Sequence, residues 1–286
     1  QFKIREMERI RTMVKEIMSG NEAIARGAWE AGCSFAAAYP GTPSTEIIEN
    51  LSAIKEVSSR WANNEKTALE MAIGASIGGL RSLAAMKHVG INVAADPLCA
   101  VGYTGVNAGL VVITADDPGC HSSQNEQDNG LYSRLAKLAL VEPSDSQECK
   151  DFVKAAFEIS ERFDIPVLFR VTTRICHSKG LVELEQPGEI PVKPYQRNTK
   201  KYCMLPAMAR VRHAFREESL KELEEYANSC PLNKIEWAGD RKLGIVTSGI
   251  SYQYAKEVFG DSASILKLAL TNPMPRALIT EFCSAV

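Results

Sequence analysis

After Ser19 the chain alternates short apolar runs with longer stretches in which apolar residues recur at helical spacing. That alternation is the pattern of an α/β domain with a mainly parallel sheet flanked by helices. The apolar runs predict strands from Phe35 to Tyr39, Ser82 to Met86, Gly109 to Ala115, Ala139 to Glu142 and Pro166 to Val171. Between them, helices are predicted from Asn21 to Ala31, Pro43 to Ile54, Glu65 to Gly78, Asn92 to Gly102, Leu131 to Lys137 and Ser146 to Arg162. Pro43 suits a first helical turn, where its missing N–H costs nothing, and Ser144 with Gln147 has capping-box spacing.

In the helix that starts at Glu65, Ala68, Ala72, Ala75 and Gly79 share one face. Gly74 and Gly78 inside it each cost roughly 1 kcal/mol relative to alanine, which predicts close packing against another backbone.

From Gly180 to Arg197 the periodicity gives way to prolines at 187, 191 and 194 with charges between them, a linker composition. A charged helix from Ala207 to Tyr226 follows, read as packing along the first domain. At Lys242 a new α/β unit begins: strand Leu243 to Thr247, helix Ser251 to Phe259, strand Ala263 to Leu268 and helix Pro275 to Cys283. Two strands leave sheet edges open, so this unit is expected to be an incomplete second domain, with the whole chain the front part of a longer polypeptide. The expected organisation is an extension over 1–18, the main domain over 19–180, a linker with its helix over 181–240 and the second unit over 241–286.

Composition changes this picture little. With 286 residues and 45% hydrophobic content there is enough chain for one large or two smaller cores. A formal charge of -2 and no basic stripe argue against nucleic acid. The eight cysteines contain no C-x-x-C pair and are read as reduced thiols of a cytoplasmic protein. No apolar run approaches the ~20 residues of a membrane span. Residues 1–16 are charged and receive no functional assignment.

The chemistry is concentrated in four ordered segments: Tyr39-Pro40-Gly41-Thr42-Pro43-Ser44-Thr45-Glu46; Asn64-Glu65-Lys66 with Ala68 and Gly74-Ala75-Ser76; Met86 to Pro97, beginning Met86-Lys87-His88-Val89-Gly90; and Asp116-Asp117-Pro118-Gly119-Cys120-His121-Ser122-Ser123-Gln124-Asn125-Glu126-Gln127-Asp128. The second resembles the acidic helix of thiamine-diphosphate enzymes. Together, in this order, the segments resemble the alpha subunits of indolepyruvate:ferredoxin oxidoreductases, within the thiamine-diphosphate-dependent 2-oxoacid:ferredoxin oxidoreductase family. The resemblance runs from about Met18 to the end of the chain.

It implies a pyrimidine-type domain that contacts one half of thiamine diphosphate. Glu65 is then the catalytic carboxyl, hydrogen-bonded to the aminopyrimidine N1′ nitrogen, and Thr42 sits beside the substrate or the pyrimidine. Pro40 and Gly41 stand in a strand-to-helix turn of the kind that lines ligand crevices in open α/β sheets. Lys87 and His88 follow a strand and offer a cation and an imidazole to an anionic substrate. His121 and Gln124, in a polar loop after a buried strand, are candidate contacts to cofactor or substrate. Pyruvate enzymes of the family place an arginine in the segment that here reads Thr114-Ala115-Asp116-Asp117, and its absence favours an aryl 2-oxo acid. The acidic residues and His121 match no metal-ligand spacing, so no metal is assigned within this chain.

There is no Gly-Asp-Gly diphosphate motif and no cysteine run for an iron–sulfur cluster. Magnesium and [4Fe–4S] clusters are therefore expected outside this stretch, which alone should be inactive. The implied partners are a separate beta subunit, ferredoxin, coenzyme A and an aryl 2-oxo acid, in a dimer-based assembly. Two alternatives stay open: an enzyme of the same family acting on pyruvate or branched-chain 2-oxo acids, and a non-catalytic α/β interaction subunit.

Overall fold

The computed structural model describes residues 14–188 and 190–286; residues 1–13 of the expected N-terminal extension lie outside these. In chain order the first elements are β1 (Lys15–Ser19), α1 (Gly20–Glu30), β2 (Phe35–Ala38), α2 (Thr45–Ser52), β3 (Ser58–Trp61) and α3 (Glu65–Gly78). Next come β4 (Ser82–Lys87), α4 (His88–Val93), α5 (Ala95–Thr104), β5 (Leu110–Asp116), α6 (Gly130–Leu135) and β6 (Ala139–Val141). Then follow α7 (Ser146–Phe163), β7 (Val167–Thr172), α8 (Thr173–His177), β8 (Lys179–Glu183), α9 (Thr199–Tyr202) and α10 (Pro206–Ser229). The chain continues through β9 (Lys234–Glu236), β10 (Gly244–Ser248), α11 (Ile250–Phe259), β11 (Ser264–Leu268), β12 (Leu270–Asn272) and α12 (Arg276–Ala285).

Seven strands form the main sheet in the order β3-β2-β4-β5-β7-β6-β12, parallel throughout except for β12, which runs antiparallel to β6. All of β5 is buried, which explains its unbroken apolar run. From β2 the chain passes outward to β3, and from β4 it passes the other way to β5, so the strand order reverses between β2 and β4. Ligands in open α/β sheets bind outside the carboxyl ends of the two strands at such a reversal. Here those ends carry Tyr39 to Thr42 and Lys87-His88.

Local signals account for most boundaries. Ser19 and Glu22 form a capping box on α1. Gly27 lets α1 lie close to α7, since a Cβ there would stand 2.3 Å from the Lys150 carbonyl oxygen. Several sequence expectations are corrected. Helix α2 starts at Thr45, so Pro43 lies ahead of it; the Pro43 carbonyl accepts from Asn21 Nδ2 at 2.7 Å. Asp145 caps α7 by accepting from Glu148 N, while Ser144 donates to Glu148 Oε2. The helix predicted from Asn92 is two helices, α4 and α5, meeting at Ala94. At Gly74 and Gly78 an added Cβ would meet nothing within 4 Å, so neither marks a close approach. The close approach falls at Gly79, where φ is +104° and a Cβ would stand 1.8 Å from the Lys193 carbonyl.

Within the stretch read as linker, α10 places its fully buried Arg216 on the carbonyls of Gly102 (2.7 Å), Phe163 (3.2 Å) and Asp164, the ends of α5 and α7. The second unit is a three-stranded sheet, β10-β11-β9, with β9 antiparallel to β11. It meets the first through β12, which extends the main sheet, through buried Lys267 of β11, which pairs with Glu148 of α7, and through Gln253 of α11, which donates to Asp145 Oδ2 at 3.3 Å. Among the described residues no helix is long and apolar enough to cross a membrane, and all eight cysteines are free thiols.

Candidate functional site

Glu65 opens α3, whose start is fixed by Asn64: its side chain accepts from Thr67 N at 2.8 Å. The glutamate is 8% exposed. Its side chain lies against Gly90 of α4, where an added Cβ would stand 2.6 Å from Cγ and 2.8 Å from Oε1. Among the described residues no donor reaches the carboxyl and no cation pairs with it. With no protein donor among the described residues on it, the carboxyl is open to a donor or acceptor arriving on a ligand.

The turn after β2 is held by its own side chains: Gly41 N donates to Thr45 Oγ1 and Ser44 Oγ donates to Gly41 O, both at 2.9 Å. Pro40 and Thr42 are exposed on it. Gly41 lies beneath the stem of Lys87, since a Cβ there would stand 3.1 Å from Lys87 Cδ. Lys87 Nζ donates to Ser122 O at 2.9 Å and forms no ion pair among the described residues. The structure thus brings Gly41 and Lys87 together at the strand reversal.

His88 is fully buried at the start of α4, with Nε2 3.0 Å from the Asn125 carbonyl. Since a carbonyl only accepts, Nε2 carries the proton, and Nδ1 has no partner among the described residues. Asn129 Nδ2 donates to the His88 carbonyl at 2.9 Å and to Thr114 Oγ1 at 2.7 Å. Asn92 Nδ2 reaches Gln127 Oε1 at 2.9 Å and Tyr132 Oη at 2.7 Å. Lys87, His88 and Asn92 therefore fasten the loop over 117–128 to the β4–α4 junction.

Inside that loop, burial of Asp117 is outweighed by hydrogen bonds from Ser123 Oγ (2.7 Å), Ser122 N (2.8 Å) and Thr173 Oγ1 (2.8 Å), which hold its carboxyl down at about 2. Gln124 is exposed at the loop's surface. His121 faces a different place from Glu65. It lines a cleft of about 680 Å³ with Arg170, Thr172, Arg174, Ser251 and Tyr254, between the main sheet and the second unit. His177 and His213 have 44% and 48% of their side chains exposed.

Sequence reasoning missed two groups. Arg170 sits within an apolar strand and gathers Asp116, Glu142 and Asp128. Burial pushes the Asp116 carboxyl up despite that guanidinium. Gly90 was legible as a glycine after a strand, but its contact with Glu65 was not.

An open, mainly parallel sheet with polar groups gathered where its strand order reverses is the arrangement of a ligand-binding α/β domain. Residues 26–229 match the family model described as pyruvate flavodoxin/ferredoxin oxidoreductase, thiamine diP-bdg, and the chain belongs to that family. It is 45% identical over 285 residues to the indolepyruvate oxidoreductase subunit IorA of Archaeoglobus fulgidus, covering 94% of this chain and 45% of that protein. The Methanothermobacter thermautotrophicus subunit of the same name is 45% identical over 280 residues, covering 95% and 45%. The chain thus spans about half the length of these curated relatives. In fold it is similar to a 2-oxoglutarate:ferredoxin oxidoreductase from Magnetococcus marinus, solved with 2-oxoglutarate, coenzyme A and succinyl-CoA bound. That match has a TM-score of 0.77 and 17% identity, and covers 95% of this chain and 56% of the other.

Proposed function

We propose that this chain is the pyrimidine-binding part of a subunit that oxidatively decarboxylates aryl 2-oxo acids, of which indolepyruvate is the type, to acyl-coenzyme A with ferredoxin as electron acceptor. The observation that carries this is the Glu65 side chain, set at a helix start against Gly90 with no donor on its carboxyl among the described residues. Such a group fits thiamine diphosphate, whose pyrimidine N1′ offers a ring nitrogen for a carboxyl to share a proton with. When bound, the cofactor supplies the carbon nucleophile for attack on the 2-oxo acid's carbonyl.

The chain's own residues hold and orient. Glu65 holds a proton at N1′, and the Pro40-Gly41-Thr42 turn lines the cofactor and substrate side of the crevice. Lys87 brings an ammonium that has no carboxylate partner among the described residues, suited to the substrate's carboxylate. His88 acts by holding Asn125, and with it the loop that carries His121 and Gln124. Arg170 is engaged by three carboxylates and is left out of the substrate contacts. We assign magnesium, the diphosphate and the iron–sulfur clusters to the remaining half of the subunit, in line with relatives of which this chain covers 45%. The partners would be a second subunit, ferredoxin and coenzyme A, in a dimer-based assembly.

The test is Glu65→Gln in the intact subunit assembled with its partner. Ferredoxin reduction with indolepyruvate should fall by about 10²–10⁴-fold, with an unchanged thermal midpoint. Near-normal turnover would overturn the assignment. Preference for pyruvate in direct competition would overturn the substrate class.

A further inference from the structure

We infer that Gly90 is a positioning residue for the Glu65 carboxyl: the bare Cα of α4 forms one wall of the slot that aims it, and any side chain there would turn it away. The chemical consequence rests on the function proposed above; the geometry does not.

The glycine is unexplained by its own backbone. Gly90 lies inside α4 and is not among the glycines with positive φ. At such a position alanine is the better helix former. The residue is also buried, where a methyl group would ordinarily gain from packing. What excludes the methyl is Glu65. An added Cβ would stand 2.6 Å from its Cγ, 3.0 Å from Cδ and 2.8 Å from Oε1. These atoms run from the middle of the side chain to its tip, so moving the tip alone cannot relieve the overlap. The whole glutamate would have to change rotamer.

Neither side can retreat. On one side α4 is tied through His88 to Asn125 and Asn129, and through Asn92 to Gln127 and Tyr132. On the other, Glu65 springs from the first turn of α3, capped by Asn64. No hydrogen bond among the described residues fixes the carboxyl's direction, so the shape of the slot does. Gly41 offers a contrast. There the added atom would meet the Lys87 stem no closer than 3.1 Å, and a flexible lysine can shift.

The test is a cycle of Gly90→Ala, Glu65→Ala and both together, in the intact subunit assembled with its partner. Thermal midpoints are measured first, without cofactor. Gly90→Ala should lower the midpoint when Glu65 is present, and leave it unchanged or raise it in the Glu65→Ala background. An equal effect in both backgrounds would overturn the contact. Thiamine diphosphate is then added, and its affinity and the rate of hydrogen–deuterium exchange at its C2 carbon are measured. Gly90→Ala should slow exchange by about 10²-fold, with a smaller change in affinity. Coupled midpoints with normal exchange and turnover would overturn the positioning role. If Glu65→Gln proved fully active, the proposed function would fall while the coupling of midpoints would still stand or fail by itself.

Discussion

Arg170 on β7 donates through Nε to Asp116 Oδ2 on β5 at 2.7 Å, crossing between neighbouring strands at the carboxyl edge of the main sheet. Its Nη1 also donates to Glu142 Oε1 at 2.6 Å, and Nη2 lies 3.3 Å from Asp128. Burial disfavours the guanidinium's charge, yet Asp116 and Glu142 hold its pKa above the usual arginine value. Removing one partner of a buried ion pair leaves the other uncompensated. Arg170→Met should therefore lower stability by about 3–5 kcal/mol, measured by urea unfolding. Adding Asp116→Asn should recover part of that loss. A single variant as stable as the native chain would contradict the arrangement.

Glu161 fastens the linker from below. It accepts from Arg81 Nε (2.9 Å) and Gly109 N (3.0 Å) and pairs with Lys193 at 3.0 Å. Burial raises its pKa, but these partners outweigh burial and bring it down to about 2. A carboxyl depressed on folding contributes stability in full above the ordinary glutamate value of about 4.3, and loses it as pH falls through the folded value. Acid unfolding should thus steepen between roughly pH 4.3 and 2, and Glu161→Gln should flatten it. An identical acid profile in the variant would refute this account.

The three carbonyls under Arg216 belong to the ends of two helices, and no shorter or uncharged side chain can serve them all. Arg216→Met should cost about 2–4 kcal/mol, since buried acceptors would lose charged donors. Hydrogen exchange should quicken at the ends of α5 and α7 before it does in β5. If denaturation were unaffected, the arginine would be ornamental.

Lys87→Met keeps the stem over Gly41 and removes the charge. If the ammonium binds the substrate carboxylate, KM for indolepyruvate should rise by about 10- to 100-fold, with stability within about 0.5 kcal/mol of native. A normal KM would exclude that role.

The elements legible in the sequence were those whose own composition forces them. Leu110–Asp116 is apolar because both of its faces are covered, and α3 announces itself with Asn64 and an apolar stripe. β3 was missed because an edge strand with the sequence Ser-Ser-Arg-Trp is largely exposed and has no apolar run to betray it. β12 has three residues, and its membership of the main sheet depends on β6, about 130 positions earlier. α4 follows β4 with no turn residue between them, so Lys87 to Ile91 fell between the predicted strand and the predicted helix. The same division holds at the site. The place of Glu65 at the start of α3 was legible from its neighbours in sequence, whereas the Gly90 wall and the carboxylates around Arg170 are contacts across 25 to 54 positions, invisible to local periodicity.

β1 pairs antiparallel with β8, setting Lys15 opposite Glu183 and Ser19 opposite Lys179. During synthesis the first strand must leave the ribosome and wait for its mate until some 160 further residues have been made, because its hydrogen bonds have no earlier home. Such closure at long sequence separation is slow and entropically costly. The two-stranded ribbon should therefore gain protection from exchange only after β2 to β7 have left the ribosome, and still before β12 arrives to complete the main sheet.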